Sequence, residues 1–374
     1  MRIRNLETVS VRVNHRGDWL FVRLSTDEGL VGLGEASQGG GGPERDRLVA
    51  TILQQQCLPL LRGCDPCAVS ATIATLRPLA RGFAGATAIS ACEQALWDIA
   101  GQAAGLPVHR MLGGPTRERL PLYANINRAT VERTPEGFAQ NAAAAVAEGF
   151  TAVKAAPFDG MERRRVRDRD QQARVRRGLD CVAAMRAAVG PEVELLVDCH
   201  SNFDVATALT VAAELRTLGV MWFEEPVPTE DREALARLRP QVADLELIGG
   251  EQLWGLEGFW PYLAAGLWDV IMPDVKHCGG IAALLAIGGL AAARNVGVAP
   301  HNPSGPVAMA ASAQAAAALP HLRALEYAWG EVPWRAALVA PPERIVAGDL
   351  LLPDGPGLGI ALDEETLSQH QGAR

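Results

Sequence analysis

The chain has 374 residues, a formal net charge of −8 and 48% hydrophobic residues, with aromatic residues only 5% of the chain. Its length allows about two domains, or a barrel with an added module, and its acidic balance argues against a nucleic-acid partner. No apolar run reaches membrane-span length, and the seven scattered cysteines show no disulfide-framework spacing. A reduced, cytoplasmic protein without a membrane partner is the expectation.

The first segment, MRIRNLETVSVRV, alternates apolar and polar residues and predicts a strand rather than a signal peptide. Residues 19–26 and GLVGLGEA predict two more strands. A glycine run, Gly39 to Gly42, precedes the helical stretch RDRLVATILQQQCLPLLRG. Cys64 and Cys67 form a lone CDPC, weak evidence for metal or redox chemistry without a second pair. ATAISACEQALWDIAGQAAGLP has apolar residues at helical spacing and stops at Gly105 and Pro107. Residues 1–119 thus predict an α+β module.

From Leu120 the pattern becomes strict strand–helix alternation. PLYANIN, AVKAAPF, ELLVDCH, MWFEEP, LELIGGE, VIMPDV, VGVAPH and ALEYA are eight candidate strands separated by Ala-rich helices. Eight is the number that closes a (β/α)₈ barrel, which sets the expected fold class: α/β, a TIM-type barrel over residues 120–344 with the N-terminal module as a cap. The stretch Glu162 to Arg177 holds eight arginines beside Glu162, Asp168 and Asp170 and is read as a solvated helix start. Residues 345–374 carry Gly and Pro turns and are expected to return to the capping module.

Six ionisable residues recur near the ends of the last six predicted strands: Asp198, Glu224, Glu251, Asp274, His301 and Glu326, spaced by 26, 27, 23, 27 and 25 residues. In a parallel barrel the C-terminal strand ends converge on one mouth. Asp198, Glu224 and Glu251 offer the hard oxygen donors that Mg²⁺ takes, with no thiolate or imidazole cluster to favour zinc. Glu225 rivals Glu224, because neighbouring strand positions face opposite ways and the spacing does not choose between them. Asp274 beside His301 makes the imidazole a candidate general base. Lys154 would face the same mouth, as a cation for a substrate carboxylate or as a second base. Strand alternation places His200 on the side of Asp198, with Cys199 opposite. Glu326 could donate a hydrogen bond to developing oxyanions if burial raises its pKa. A divalent ion beside a base suits abstraction of a proton α to a carboxylate.

The motifs LSTDEGLVGLGEA, ISACEQALWDIAGQAAGLPVHRMLGG, VDCH, WFEEP, GGEQ, MPDVKHCGG and APHNPSG span nearly the whole chain. Through them the chain resembles the mandelate racemase subgroup of the enolase superfamily, whose use of a Lys or His base with Mg²⁺ is general. The resemblance implies Mg²⁺ ligands at Asp198, Glu224 and Glu251, and so selects Glu224 over Glu225. It also implies a His301–Asp274 base dyad, Glu326 as hydrogen-bond donor to the intermediate, and a symmetric homo-oligomer, from dimer to octamer. Where mandelate racemase carries a K-x-K pair, this chain has Lys154-Ala155-Ala156, lacking the opposite-face base. His200, two residues past Asp198, resembles the D-x-H arrangement of galactonate dehydratase and similar acid-sugar dehydratases, although Ser201 and Asn202 depart from the residues usual after it. The expected reaction is dehydration of an aldonate or aldarate to a 2-keto-3-deoxy acid, with His301 as base and His200 as acid. The alternatives are a racemase or epimerase using His301 and Lys154, and a non-catalytic binding protein of the same fold. The segments His15–Trp19 and Gly39–Gly42 are expected to close over the substrate.

Overall fold

Three antiparallel strands, β1 (Ile3–Asn14), β2 (Gly17–Thr26) and β3 (Val31–Glu35), open the chain and pack on the long helix α1 (Gly82–Ala104). The computed structural model describes residues 1–15, 17–37, 43–161 and 169–372. The glycines of β3 are there for contact. A Cβ at Gly32 would lie 2.1 Å from the Ala95 carbonyl, and one at Gly34 2.1 Å from that of Ala91, so only glycine lets the strand meet the helix. α1 ends where Gly105 turns left-handed at φ 67°.

Eight parallel strands among the described residues follow: β4 (Arg119–Asn125), β5 (Ala152–Ala155), β6 (Glu194–Asp198), β7 (Val220–Glu224), β8 (Glu246–Gly249), β9 (Val270–Ile271), β10 (Gly297–Val298) and β11 (Leu325–Ala328). Neighbours pair from β4 through β10, and β11 returns to β4 in the register Leu325↔Leu122. The seam between β10 and β11 is closed by a single bridge, Val298↔Leu322, with Val298 N–H donating to His321 (3.0 Å) and Arg323 N–H to Val298 (2.8 Å). Side-chain alternation fills the barrel. Tyr123, Leu196, Trp222 and Ile248 share an inner apolar cluster, while Val153, Val197 and Phe223 pack outward on the main core. Two residues up from Leu196 and Trp222, the same inner side carries Asp198 and Glu224.

Two barrel helices begin on carboxylates supplied by the N-terminal module. α2 (Ile281–Ala292) and α3 (Pro306–Ala316) lack capping side chains of their own. Glu93 of α1 accepts the N–H groups of Ile281 (2.6 Å) and Ala282 (2.9 Å). Glu35 of β3 accepts those of Gly305 (2.8 Å) and Ala308 (2.7 Å). These bonds satisfy helix-start donors otherwise orphaned. The glycine before α2 is required, because a Cβ on Gly280 would sit 2.0 Å from Glu93 Oε2.

Burial pushes the Glu93 carboxyl up to about 7 against the N–H groups it accepts. A carboxyl raised on folding contributes stability at low pH that is lost as pH rises through the folded value. The fall in Tm between pH 5.5 and pH 8 is therefore expected to be shallower by a few degrees in Glu93→Gln than in the wild type. Thermal melts at the two pH values check this, and equal slopes would show that Glu93 is ionised throughout.

The C-terminal residues touch both parts. Asp349–Leu351 pairs antiparallel with the start of β4. Farther on, Leu358 N–H donates to Asp98 Oδ1 of α1 (2.8 Å), and Gly372 N–H to Ser10 of β1 (3.0 Å). α4 (Glu364–His370) ends with His370 stacked on Trp334, ring centroids 3.8 Å apart. Trp19, expected in a closing loop, is instead 1% exposed in β2, edge-on to Trp334 at 5.4 Å. Its apolar bulk is a core fixture rather than a lid. Gly39–Gly42 and residues 162–168 lie outside the described residues. The remaining arginines of that stretch begin the helix Arg169–Val189, where Arg169, Arg174, Arg176 and Arg177 are exposed as expected. Among the described residues the cysteines are free, with Cys67 exposed, and no helix is long and apolar enough to cross a membrane.

Candidate active site

Asp198 and Glu224 end adjacent strands in direct register. Glu251, Asp274 and His301 lie just beyond β8, β9 and β10. The last two strands are short because Pro273 and Pro300 lack the N–H to extend a ladder. His200 is not on a strand. β6 stops at Asp198, and His200 and Ser201 take left-handed φ values of 45° and 58°, a backbone cost of about 1–2 kcal/mol per residue. The turn is held by His200 N–H donating to Asp198 Oδ1 (2.8 Å), Ser201 N–H to the Glu225 carbonyl (2.6 Å) and Cys199 N–H to that of Glu224 (3.0 Å). His200 therefore reaches Asp198 through a strained turn, not through strand alternation.

Each carboxylate of the mouth faces a cation. Lys154 Nζ lies 3.0 Å from both oxygens of Glu224 and 2.9 Å from Glu326 Oε1, with the side chain 1% exposed. His200 Nε2 is 2.8 Å from Asp198 Oδ2. His301 Nε2 is 3.0 Å from Glu251 Oε2, and its Nδ1 is 2.7 Å from Asp274 Oδ2. Burial pulls the His301 imidazolium down, but Glu251, Glu326 and Asp274 outweigh it and raise it to about 10. Burial opposes the Lys154 ammonium too, yet Glu224 and Glu326 hold it well above its ordinary value. Lys154 is thus committed to two carboxylates, and its expected reach toward a substrate anion or as a second base is not what this geometry offers.

Glu326 also departs from expectation. Burial alone would raise its carboxyl, but Lys154 and His301 hold it low. It accepts hydrogen bonds from Asn125 Nδ2 (2.6 Å) and Asn302 N–H (2.8 Å). It is an ionised acceptor here, not a carboxylic acid with a proton to donate.

Glu225 is separated from Glu224 by what it binds. Turned by a positive φ of 37°, it accepts from Ser201 Oγ (3.0 Å), Thr229 Oγ1 (2.8 Å) and Gly250 N–H (3.0 Å). It ties together the segments that follow β6, β7 and β8. A cavity of ≈ 360 Å³ opens here, lined by His200, Glu225, Thr229, Glu251 and Tyr262.

Among the described residues, no three His, Cys, Asp or Glu side chains are grouped so as to hold a metal ion. Lys154, His200 and His301 occupy the faces that Glu224, Asp198 and Glu251 would turn to one. The donor set still fits a hard divalent cation. It is three carboxylates, and burial together with repulsion from Asp198 pushes the Glu224 carboxyl up despite Lys154, which is an unmet demand for positive charge.

Two partners escaped the sequence reading. Lys276 Nζ donates to Asp274 Oδ2 (2.6 Å), and its N–H donates to Oδ1 (2.7 Å). Burial resists the Asp274 charge, but Lys276 and His301 hold the carboxyl far below its usual range. The signal was present as D-x-K within MPDVKH. Asp159, in the segment after β5, pairs with His200 Nδ1 through Oδ1. Nothing in its spacing marked it.

Residues 3–113 match the mandelate racemase/muconate lactonizing enzyme N-terminal domain, and residues 137–366 the enolase C-terminal domain-like family. The chain is 33% identical over 357 residues to D-gluconate dehydratase of Thermoproteus tenax, covering 94% of this chain and 69% of that protein. It is 32% identical over 379 residues to D-galactarolactone cycloisomerase of Agrobacterium fabrum, covering 98% and 94%. The crystal structure of a mandelate racemase/muconate lactonizing enzyme from Jannaschia sp. CCS1 superimposes with a TM-score of 0.87 at 30% identity, covering 100% and 98%. The chain belongs to the mandelate racemase/muconate lactonizing enzyme family of the enolase superfamily.

Proposed function

We propose that this chain is a Mg²⁺-dependent acid-sugar dehydratase that converts an aldonate or aldarate to a 2-keto-3-deoxy acid. The observation that carries the reading is the placement of two imidazoles. His200 follows β6 and His301 follows β10, half-way round an eight-stranded ring, and each turns Nε2 to a carboxylate of the mouth. A base on one side and an acid on the other is what elimination needs, whereas Lys154, the opposing base of a racemase, is occupied by Glu224 and Glu326. Similarity to a D-gluconate dehydratase supports the same reading.

Asp198, Glu224 and Glu251 would hold the Mg²⁺, which supplies a Lewis acid for the substrate carboxylate as negative charge builds there. With Glu251 given over to the cation, His301 Nε2 would lose the carboxylate that now keeps it protonated, and the neutral ring would take the α-proton there while Asp274, kept ionised by Lys276, holds Nδ1–H and the ring orientation. The C–H electron pair becomes the new C=C bond. The C3–O bond breaks toward oxygen, and the Nε2 proton of His200 goes to the departing hydroxyl, which leaves as water. The enol then gives up its C2 hydroxyl proton and takes a proton at C3, which yields the ketone. Lys154 neutralises Glu224 and Glu326 beneath the substrate.

A sugar-acid panel with Mg²⁺, scored for 2-keto acid in D₂O, tests the reading. The expected result is 2-keto-3-deoxy acid from at least one member, with His200→Asn still exchanging the α-proton while releasing little water. A wild type that exchanges or inverts the α-carbon without losing water sinks it.

A further inference from the structure

Each imidazole of the mouth is held at Nδ1 by a carboxylate that is itself held by a cation. On the base side the chain is His301–Asp274–Lys276. On the other it is His200–Asp159–Arg133, with Arg133 Nη2 3.0 Å from Asp159 Oδ2. Arg133 is fixed in turn. It donates to Asn127 Oδ1 (2.8 Å) and to the Ala156 carbonyl (2.5 Å), and its guanidinium lies 5.1 Å over the Phe138 ring. The relay thus links the segments after β4, β5 and β6.

Resting on the dehydratase reading, we infer that Asp159 is the positioning residue for the proton donor His200. With Nδ1 engaged by Asp159, the nitrogen presented to the mouth is Nε2, the atom that must carry a proton to the leaving hydroxyl. Without that contact the ring can rotate and present the wrong nitrogen. The left-handed turn at His200 leaves the ring without a strand's support, so a side-chain anchor is needed. The two relays differ in exposure: Asp274 is 0% exposed and Asp159 18%, while the His200 side chain is 36% exposed. Solvent contact suits the end where water leaves and the acid is reprotonated, and burial suits the end where a carbon acid is deprotonated.

The test compares Asp159→Ala, Asp159→Asn and His200→Asn in D₂O with Mg²⁺ and a substrate of the wild type. In Asp159→Ala, release of 2-keto-3-deoxy acid should fall about 100-fold, the scale of losing an orienting partner. Deuterium should still enter the α-carbon of recovered substrate within about threefold of the wild-type rate of α-proton removal. Asp159→Asn should recover part of the loss, because its amide oxygen can still accept from Nδ1–H. Mg²⁺ affinity by calorimetry and the far-UV spectrum should match the wild type. Exchange and elimination falling together, or neither falling, overturns the inference. Dehydration at the wild-type rate in His200→Asn removes the acid assignment itself, and this inference with it.

Discussion

His301→Asn should lower exchange of the substrate α-proton by about 10²–10⁴-fold, the range for removing a positioned general base. The Nε2 atom that would accept the proton is lost, whereas Asp274 keeps Lys276 as a partner at 2.6 Å and is not left as an unpaired buried charge. The fold should therefore survive. Mg²⁺ affinity should be kept or strengthened, because the imidazolium facing Glu251 at 3.0 Å disappears with the substitution. Deuterium incorporation followed by proton NMR, with calorimetric Mg²⁺ titration of the same sample, separates the two effects. Exchange at the wild-type rate would show that another group is the base.

The second large effect is expected at neighbouring glutamates. Glu224→Gln should weaken Mg²⁺ binding by more than about 100-fold, since even loss of an outer partner of a ligand costs about 10–100-fold. Glu225→Gln should cost less than about tenfold. The amide oxygen of a glutamine at 225 can still accept from Thr229 Oγ1 and Gly250 N–H, and its NH₂ can donate to Ser201 Oγ. Calorimetry on both variants decides. Equal losses would mean that Glu225 serves the ion as directly as Glu224 does.

What could be read from the chain followed from periodicity. The eight strands were visible as apolar runs alternating with Ala-rich helices; the last six recur at about 25 residues, and the ionisable residues at their ends shared that phase. Pairing was less legible. Lys154 was correctly placed on a strand facing inward, but only packing shows that two carboxylates claim it before any substrate can. Glu326 illustrates the same limit: burial alone predicts a raised pKa, and the ammonium beside it reverses the sign. Asp159 sits outside the repeat, in a segment whose course no local pattern dictates. His200 was read on the right side for a different reason, since a left-handed turn, not strand parity, aims it. The motif MPDVKH contained Lys276, yet its meaning depends on the side chain folding back onto Asp274 two residues earlier.

The loan of Glu35 and Glu93 to the first turns of α3 and α2 has a consequence for how the chain melts and how it can be recombined. A barrel expressed without residues 1–113 would lose the acceptors for four helix-start N–H groups, and the capping module alone would carry two buried carboxylates with no donors from the barrel. Neither half is self-sufficient in hydrogen bonding, so unfolding should proceed as one cooperative transition. Exchanging caps between relatives should succeed only where both acidic residues and the glycines they approach, Gly280 and Gly305, travel as a matched set.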